Sequence, residues 1–467
     1  MSAEPPEGRP TTTLNAFDIA CVVVGGIIGI GIFFSPAKVA AVVDSSEQVI
    51  IAWTIGGVMI LFGALVYARL AQIAPGEGGV FEYLRKSFGP LPAFLYGWCN
   101  LLIIQAGSLA IVGLVMADNL QRALACEPFT EIQRVGLATS AIVILTTINS
   151  VGLIVGKIVQ IILTVIKTSA VFAIVGIAIF ADGRAPATEV VTRESVPFFE
   201  AMSLAILPVL FACGGWQHGS FVAAVARRPL RDVPIGIVAG VVVVIVAYLT
   251  VNVAYLELLG LEKASASKTI AVDAVSAAFG AGGSGDMVAR CFGALIVISA
   301  LGVMNTICMA PPYVLHAMAK RRLFFARFGE LNTRFGTPFF AIALHGVWAS
   351  ALLWITQVVA WNLNESTAPA DQIDPLGFLL DGVVFLDWLF YGACGVALVA
   401  LLARRPSWDR GDRAYCVAGV IFALCGLAVA IGAIATTRWP TIAGLSTLVL
   451  GVFAYRFFTS AKARSSR

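Results

Sequence analysis

The chain has 467 residues, of which 59% are hydrophobic and only 12% are charged. Charged residues make up about a quarter of soluble globular proteins, so this composition excludes an ordinary soluble domain and predicts a polytopic membrane protein. The formal net charge of +4 is dispersed between apolar runs and gives no reason to expect nucleic-acid binding.

Apolar runs of about 20 residues, each bounded by charged or turn residues, predict about twelve membrane-spanning helices. The polar stretch 1–14 has no hydrophobic core before a cleavage site, so we expect a cytoplasmic tail and not a signal peptide. A second cytoplasmic tail is expected at 459–467. The predicted spans are residues 15–43, 48–72, 91–119, 132–150, 156–181, 200–225, 233–256, 286–318, 337–358, 376–403, 414–435 and 440–458.

Glycine interrupts the first and the sixth of these spans. The first contains four glycines between residues 25 and 31, and the sixth contains Gly214 and Gly215. Clustered glycine lets a helix unwind and expose backbone N–H and C=O groups, which hydrocarbon cannot satisfy. Irregular backbone at this depth predicts a cavity, and two breaks in corresponding places predict the substrate site of a transporter.

The spacing of the two broken spans also predicts the topology. Five spans separate the start of one from the start of the other, and an odd number makes the second unit enter the membrane from the opposite side. We therefore expect an all-α polytopic membrane protein with a 5+5 inverted repeat and broken helices 1 and 6. The first repeat covers residues 15–181, the second covers 200–403, and 414–458 adds two further spans.

The charges between the spans predict the orientation. With the N-terminus inside, the loops rich in lysine and arginine, such as 320–334 and 404–413, fall in the cytoplasm. The opposite loops carry acids such as Asp44, Glu365 and Asp371. We expect a plasma or inner membrane protein with both termini cytoplasmic.

The nine cysteines are scattered through apolar runs without metal-ligand spacing, so we expect small buried side chains. No zinc site, disulfide framework or cofactor is predicted. His218, His316 and His345 are expected to be structural.

Two ionisable residues fall inside apolar spans, where a charge is expensive unless it is paired or faces a cavity. Lys167 lies in the fifth span, and its ammonium could titrate and couple transport to protons. Asp387 lies about four turns into the tenth span. This carboxylate could pair with a cationic substrate side chain, carry protons or tether helices.

Several sequence motifs follow one another in a characteristic order. They are residues 25–33 (GGIIGIGIF), 62–68 (FGALVYA), 78–79 (GG), 88–94 (FGPLPAF), 101–104 (LLII), 211–216 (FACGGW) and 228–234 (RPLRDVP). In this order they resemble the amino acid-polyamine-organocation superfamily, and within it the L-type amino-acid transporter branch. The resemblance covers residues 15 to about 400.

This resemblance implies how an amino acid is held. The N–H groups of Ile30 and Gly31, at the positive end of a half-helix, would bind the carboxylate. The carbonyl groups of Ile27, Phe211 and Gly214 would bind the ammonium. Ile30 stands where most members of the branch carry a small polar residue.

The same resemblance implies further side-chain roles. The Phe211 ring would close over the substrate, or serve as ordinary packing. Ile103, Ile104 and Val112 would line the side-chain pocket, or pack. The remaining candidates are Gln217, which replaces the usual asparagine and would support the unwound segment or touch the ligand, and Phe385, which belongs with Asp387 in the tenth span.

For Lys167 the resemblance implies a specific place. Its ammonium would occupy the position that a sodium ion fills in related sodium-coupled transporters, so sodium dependence is not expected. It would act either as a fixed strut or as a proton carrier. Cys126 matches an external cysteine that eukaryotic relatives bond to a glycoprotein heavy chain, but a stand-alone transporter is favoured here.

Together these features predict a secondary-active amino-acid transporter that works by alternating access, through exchange or proton symport. A carrier for an amine or a glycated amino acid would keep the fold and change the pocket. A passive channel would need continuous polar pore faces, and an intramembrane enzyme would need a catalytic constellation; the sequence shows neither pattern.

Overall fold

The computed structural model describes residues 15–74, 79–151, 168–180, 196–216, 227–280, 283–309, 311–332, 337–364, 372–409 and 411–465. In these ranges the regular secondary structure is helical and contains no β-strand. The predicted all-α fold is confirmed.

The helices follow one another with short connections. A 3₁₀ turn (Gly31–Phe33) precedes α2, a π-helical turn (Asn100–Ile104) joins α5 to α6, and a second 3₁₀ turn (Ala326–Gly329) follows α13. The α-helices are α1 (Ala16–Ile27), α2 (Ser35–Ala40), α3 (Ser46–Ile73), α4 (Val80–Phe88), α5 (Pro90–Cys99), α6 (Gln105–Leu124), α7 (Glu131–Val151), α8 (Thr168–Phe180), α9 (Phe198–Ala212), α10 (Pro229–Ala266), α11 (Ile270–Phe279), α12 (Gly283–Met309), α13 (Pro312–Lys320), α14 (Phe339–Asn364), α15 (Pro375–Ala403), α16 (Asp412–Thr436) and α17 (Arg438–Ser465).

In the described part of the chain, 9 helical segments are long and apolar enough to cross a bilayer. They coincide with the predicted spans two to four and seven to twelve, so the polytopic membrane fold is confirmed. The predicted spans one, five and six coincide with the shorter apolar helices α1, α8 and α9. Of the fifth span only 168–180 is described, and the boundaries of the two repeats stay predictions.

The first broken span begins and ends for identifiable reasons. Asn15 caps α1 by accepting hydrogen bonds from the N–H groups of Phe17 (2.8 Å) and Asp18 (3.1 Å), while the Asp18 carboxylate accepts from Asn15 N–H (2.9 Å). The helix stops at Ile27, and residues 28–30 have no α-helical structure before the 3₁₀ turn. The predicted break is therefore present.

The second broken span stops in the same manner. Helix α9 ends at Ala212, and the residues 213–216 form a turn. Gly215 has φ of +110°, and a Cβ built on it would lie 2.2 Å from the carbonyl oxygen of Gly26. Only glycine fits both that backbone conformation and that approach, so the two breaks meet directly.

Helix α10 holds α1 in place through small residues. A Cβ built on Gly236 would lie 2.6 Å from Ile19 Cβ, and one built on Gly240 would lie 2.8 Å from Val23 Cβ. Glycine at these positions lets the two helix backbones approach closely, as is typical of helix pairs in membranes.

Aromatic packing anchors the far side of the second break. The Trp216 ring lies 4.5 Å from the Tyr67 ring and 5.3 Å from the Tyr391 ring, measured between centroids. Gly63 lies against the same indole, because a Cβ there would be 2.9 Å from it. Helices α3 and α15 therefore fix the end of the second break.

Candidate substrate cavity

A cavity of about 560 Å³ lies between the two breaks. Its walls come from the broken helices and from α6, α12 and α15. The lining residues are Cys21, Gly25, Gly26, Ile27, Gly29, Ile30, Gly31, Gln105, Ser108, Val112, Leu210, Phe211, Ala212, Gly214, Gly215, Val303, Thr306, Ile307, Met309, Pro311, Val383, Val384, Asp387, Trp388 and Tyr391.

The first break presents backbone donors to this cavity. The 3₁₀ turn uses the Phe33 N–H, which donates to the Ile30 carbonyl (2.9 Å), and the Phe34 N–H, which donates to the Gly31 carbonyl (3.2 Å). The N–H groups of Ile30 and Gly31 precede this ladder and donate to no acceptor in the described residues. Two amide donors therefore remain free at the start of a helical turn.

The carbonyl groups named from the resemblance differ in how far they are occupied. Ile27 already accepts a hydrogen bond from the Tyr248 hydroxyl (3.0 Å), and Phe211 accepts one from the Gly214 N–H (3.1 Å). A carbonyl oxygen has two lone pairs, so each could accept one more donor. The Gly214 backbone also lines the cavity.

Tyr248 of α10 is a residue that the sequence reasoning missed. Its hydroxyl lies 3.0 Å from the carbonyl oxygen of Ile27 and 3.2 Å from that of Ala212, which are the last residues of α1 and α9. The side chain thus ties the two broken helix ends together. A tyrosine in an apolar helix gives no sequence signal of this role, since the link depends on two other segments of the chain.

Seven of the residues singled out from the sequence line the cavity, and three others in the described part do not. Ile104 is fully buried. Ile103 packs toward Gly382, because a Cβ built on Gly382 would lie 3.9 Å from the Cγ2 atom of Ile103. The seven lining residues are Ile27, Ile30, Gly31, Val112, Phe211, Gly214 and Asp387.

The π-helical turn accounts for the placement of the two isoleucines. In this turn the Gln105 N–H donates to the Asn100 carbonyl, and the Leu102 carbonyl accepts from the Trp348 indole N–H (2.8 Å). The extra residue in the turn changes the helical phase, so Gln105 and Ser108 face the cavity. An uninterrupted α-helix would not produce that change of phase.

Phe385 also lies away from the cavity. It is two residues before Asp387, which turns its side chain about 200° around α15. Its ring instead packs on α17, where a Cβ built on Gly444 would lie 2.8 Å from Phe385 Cδ1. Phe385 and Asp387 therefore lie on different faces of α15, and only Asp387 lines the cavity.

Two candidates, Gln217 and Lys167, lie outside the described residues. Their roles stay predictions. Cys126 is exposed after α6, with its sulfur 3.8 Å from the Gln121 carbonyl oxygen. No group of three metal-ligating side chains occurs within the described ranges.

The cavity is closed at the end formed by α2. There the Phe211 ring contacts the Phe34 ring, with 5.8 Å between centroids. A Cβ built on Gly31 would lie 2.5 Å from the Ala212 Cα, so the backbones touch. Lys38 of α2 forms an ion pair with Asp374, which caps α15.

Asp374 lies outside the membrane-spanning helix that begins at Pro375, and the pKa of its carboxyl group is shifted. Burial alone would raise the pKa of Asp374, but the Lys38 ammonium and the N–H groups of Gly377 and Leu376 outweigh it and lower the pKa below its usual value. Asp374 therefore stays ionised through neutral pH.

The opposite end of the cavity is open. Cys21 lies in α1, before the break, and is both exposed and part of the cavity wall. The cavity thus extends from the breaks toward the end of the bundle at which α1 begins.

A helical membrane protein with a cavity between two unwound helices has the form of a solute transporter. The comparison with known families agrees: the amino acid permease family matches residues 14–455. The chain belongs to the amino acid permease family, which confirms the resemblance drawn from its motifs. It is therefore an amino-acid transporter and not an enzyme.

Curated relatives match over nearly the whole chain. The b(0,+)-type amino acid transporter 1 of Mus musculus is 26% identical over 447 residues, covering 94% of this chain and 86% of that protein. The cystine/glutamate transporter of Homo sapiens is 26% identical, covering 96% and 85%. The serine/threonine exchanger SteT of Bacillus subtilis (strain 168) is 26% identical, covering 88% and 92%.

Proposed function

We propose that this protein exchanges amino acids across a cell membrane by alternating access, without sodium coupling. The observation that carries the proposal is the meeting of two unwound helices at one cavity. Free amide donors of Ile30 and Gly31 suit a carboxylate, and the carbonyl groups of Ile27 and Gly214 suit an ammonium. Similarity to named exchangers and transporters supports the same function.

Phe211 closes the cavity over the substrate in this proposal. It lies in the cavity wall and against Phe34 at the closed end, so a rotation of its ring would open a passage there. Val112 forms part of the wall that contacts the substrate side chain.

The orientation is part of the proposal. Both termini lie in the cytoplasm of a plasma or inner membrane, as the basic loops predict, so the open end of the cavity faces inward. Cysteine scanning should label the loop 320–334 only from the cytoplasmic side. Labelling from outside would overturn this orientation.

Exchange is tested with purified protein in liposomes. Uptake of radiolabelled amino acids should require unlabelled amino acid inside, and it should be unchanged when potassium replaces sodium. A panel that includes serine, leucine and lysine covers small, large and charged side chains. Uptake that is strictly sodium-dependent, or no uptake of any amino acid, would contradict the proposal.

Substitution of Lys167 distinguishes exchange from proton symport. As a fixed strut that replaces a cation, its loss in Lys167→Ala should abolish exchange and pH-driven accumulation together. As a proton carrier, the same change should remove accumulation driven by a pH gradient while exchange persists. Unchanged transport in both assays would leave the lysine without either role.

A further inference from the structure

One wall of the cavity carries a carboxylate that binding of the amino-acid backbone does not use. Helix α15 faces the cavity with Val383, Val384, Asp387, Trp388 and Tyr391, which recur at the three-to-four-residue spacing of one helix face. Asp387 is therefore aimed into the cavity by the helix itself.

This carboxylate is the single formal charge among the described residues of the cavity wall. The other polar side chains there are neutral, and they include Gln105, Ser108 and Thr306. No described lysine, arginine or histidine forms an ion pair with Asp387.

An ionised carboxylate at membrane depth is costly without a positive partner. Part of the cavity wall is apolar: the side chains of Val112, Val303, Val383 and Val384 offer no hydrogen-bond donors to a carboxylate. A ligand that brings its own positive charge into the cavity would supply the missing partner.

The neighbouring rings favour an organic cation. Trp388 and Tyr391 both line the cavity beside Asp387, and their ring centroids are 6.0 Å apart. Aromatic faces attract alkylammonium and guanidinium groups, whereas a bare proton gains nothing from them. A carboxylate that shares the cavity-lining face of one helix with two aromatic side chains therefore matches a cationic side chain on a flexible stem.

We infer that Asp387, with Trp388 and Tyr391, recognises a substrate side chain that carries an ammonium or guanidinium group. This inference rests on the proposed exchange of amino acids. The unwound helices hold the α-carboxylate and α-ammonium, and the side chain extends through the apolar part of the cavity to the α15 wall. The transporter thus selects dibasic amino acids over neutral ones of equal length.

The test compares L-lysine with L-norleucine, which has the same carbon chain and lacks the terminal ammonium. In liposome exchange, the wild-type protein should prefer lysine. Asp387→Asn should lower the kcat/KM for lysine at least about tenfold and leave that for norleucine within about threefold. Asp387→Glu keeps the charge and should keep most of the preference for lysine.

Three results would overturn the inference. Equal loss of both substrates in Asp387→Asn, in protein that remains monodisperse, would indicate a structural role. Loss of the response to a pH gradient with an unchanged lysine-to-norleucine ratio would indicate a proton carrier. If the wild-type protein exchanges norleucine but not lysine, selection for a positive charge is refuted while amino-acid exchange stands. If it exchanges no amino acid at all, the proposed exchange itself is refuted.

Discussion

The two ends of the cavity are built differently. At the α2 end, backbone touches backbone at Gly31, one aromatic ring covers another, and the ion pair of Lys38 with Asp374 links α2 to α15. At the α1 end, the wall contains Cys21 and the cavity reaches the surface. The closed end is thus held by a few contacts that could separate without unfolding any helix.

That difference is what alternating access requires. A transporter must open either end in turn, so neither closure can be too stable. The ion pair is half exposed, with 41% and 49% of the two side chains accessible, and such pairs contribute about 0–1 kcal/mol. The close backbone contact between the two breaks is less adjustable, so we expect substitutions at this contact to affect transport more than substitutions in the ion pair.

The largest effect should come from filling the contact between the breaks. A Cβ in Gly31→Ala would lie 2.5 Å from Ala212 Cα, and in Gly215→Ala it would lie 2.2 Å from the Gly26 oxygen. Overpacking of about 1–3 kcal/mol should reduce exchange up to about a hundredfold. The measurement is amino-acid exchange in liposomes at matched protein density.

Gly136→Ala in α7 is the matched control, because a Cβ there would have nothing within 4 Å. Its exchange should equal that of the wild type. If Gly31→Ala and Gly215→Ala also exchange normally, the contact between the breaks has no role in transport.

A smaller effect is expected for the link made by Tyr248. In Tyr248→Phe the carbonyl groups of Ile27 and Ala212 lose their shared donor while the ring stays. One such hydrogen bond contributes about 1 kcal/mol, so we expect the KM for the amino acid to rise about three- to tenfold. An unchanged KM would show that the two helix ends hold their positions without this hydroxyl.

Loosening the ion pair should have a lesser effect still. Asn is as good a helix cap as Asp, so Asp374→Asn keeps the start of α15 and removes the charge. We expect the closed end to open more often and the alkylation of Cys21 to slow by up to about fivefold. Lys38→Gln should give the same change, and the double variant should add little.

The pH response of the pair of Lys38 with Asp374 follows from the shifted pKa of Asp374. The pKa of Asp374 is lowered in the folded protein. The stabilisation that its charge gives to the closed end is therefore fully present above the unfolded pKa of about 3.9, and it is lost as the pH falls through the lowered pKa. Cys21 alkylation in Asp374→Asn should therefore differ from the wild type equally at pH 8 and pH 5. A difference confined to one pH would point to another titrating group.

The smallest effect is expected at Gly214. A Cβ there would lie 3.2 Å from the Phe211 carbonyl oxygen, a tight contact that a small shift relieves. We expect exchange by Gly214→Ala to remain within about threefold of the wild type. A loss as large as that of Gly31→Ala would mean that the turn at 213–216 must change its conformation during transport.

Local composition was enough to predict the fold and the breaks. Hydrophobic length predicted the spans, and the glycine clusters predicted where α1 and α9 end, because both follow from short stretches of chain. Five of the seven lining residues lie in or beside those stretches, and the other two, Val112 and Asp387, lie on α6 and α15.

Other features depend on contacts between distant segments. Ile103 and Ile104 do not line the cavity because a π-helical turn changes the helical phase before α6. The identity of these two residues does not predict that turn. Tyr248 and the pair of Lys38 with Asp374 act across 221 and 336 residues of sequence. Such links become visible only when the helices are placed together.

The most direct test of the account uses the native Cys21, which lies in the cavity wall at its open end. Its alkylation by an impermeant maleimide is followed by peptide mass spectrometry in vesicles of known orientation, with Cys21→Ser as the blank. If an amino acid binds between the breaks, labelling should occur from the cytoplasmic side and slow several-fold when a transported amino acid is saturating. Labelling that is indifferent to a bound substrate would contradict the assignment of this cavity as the transport site.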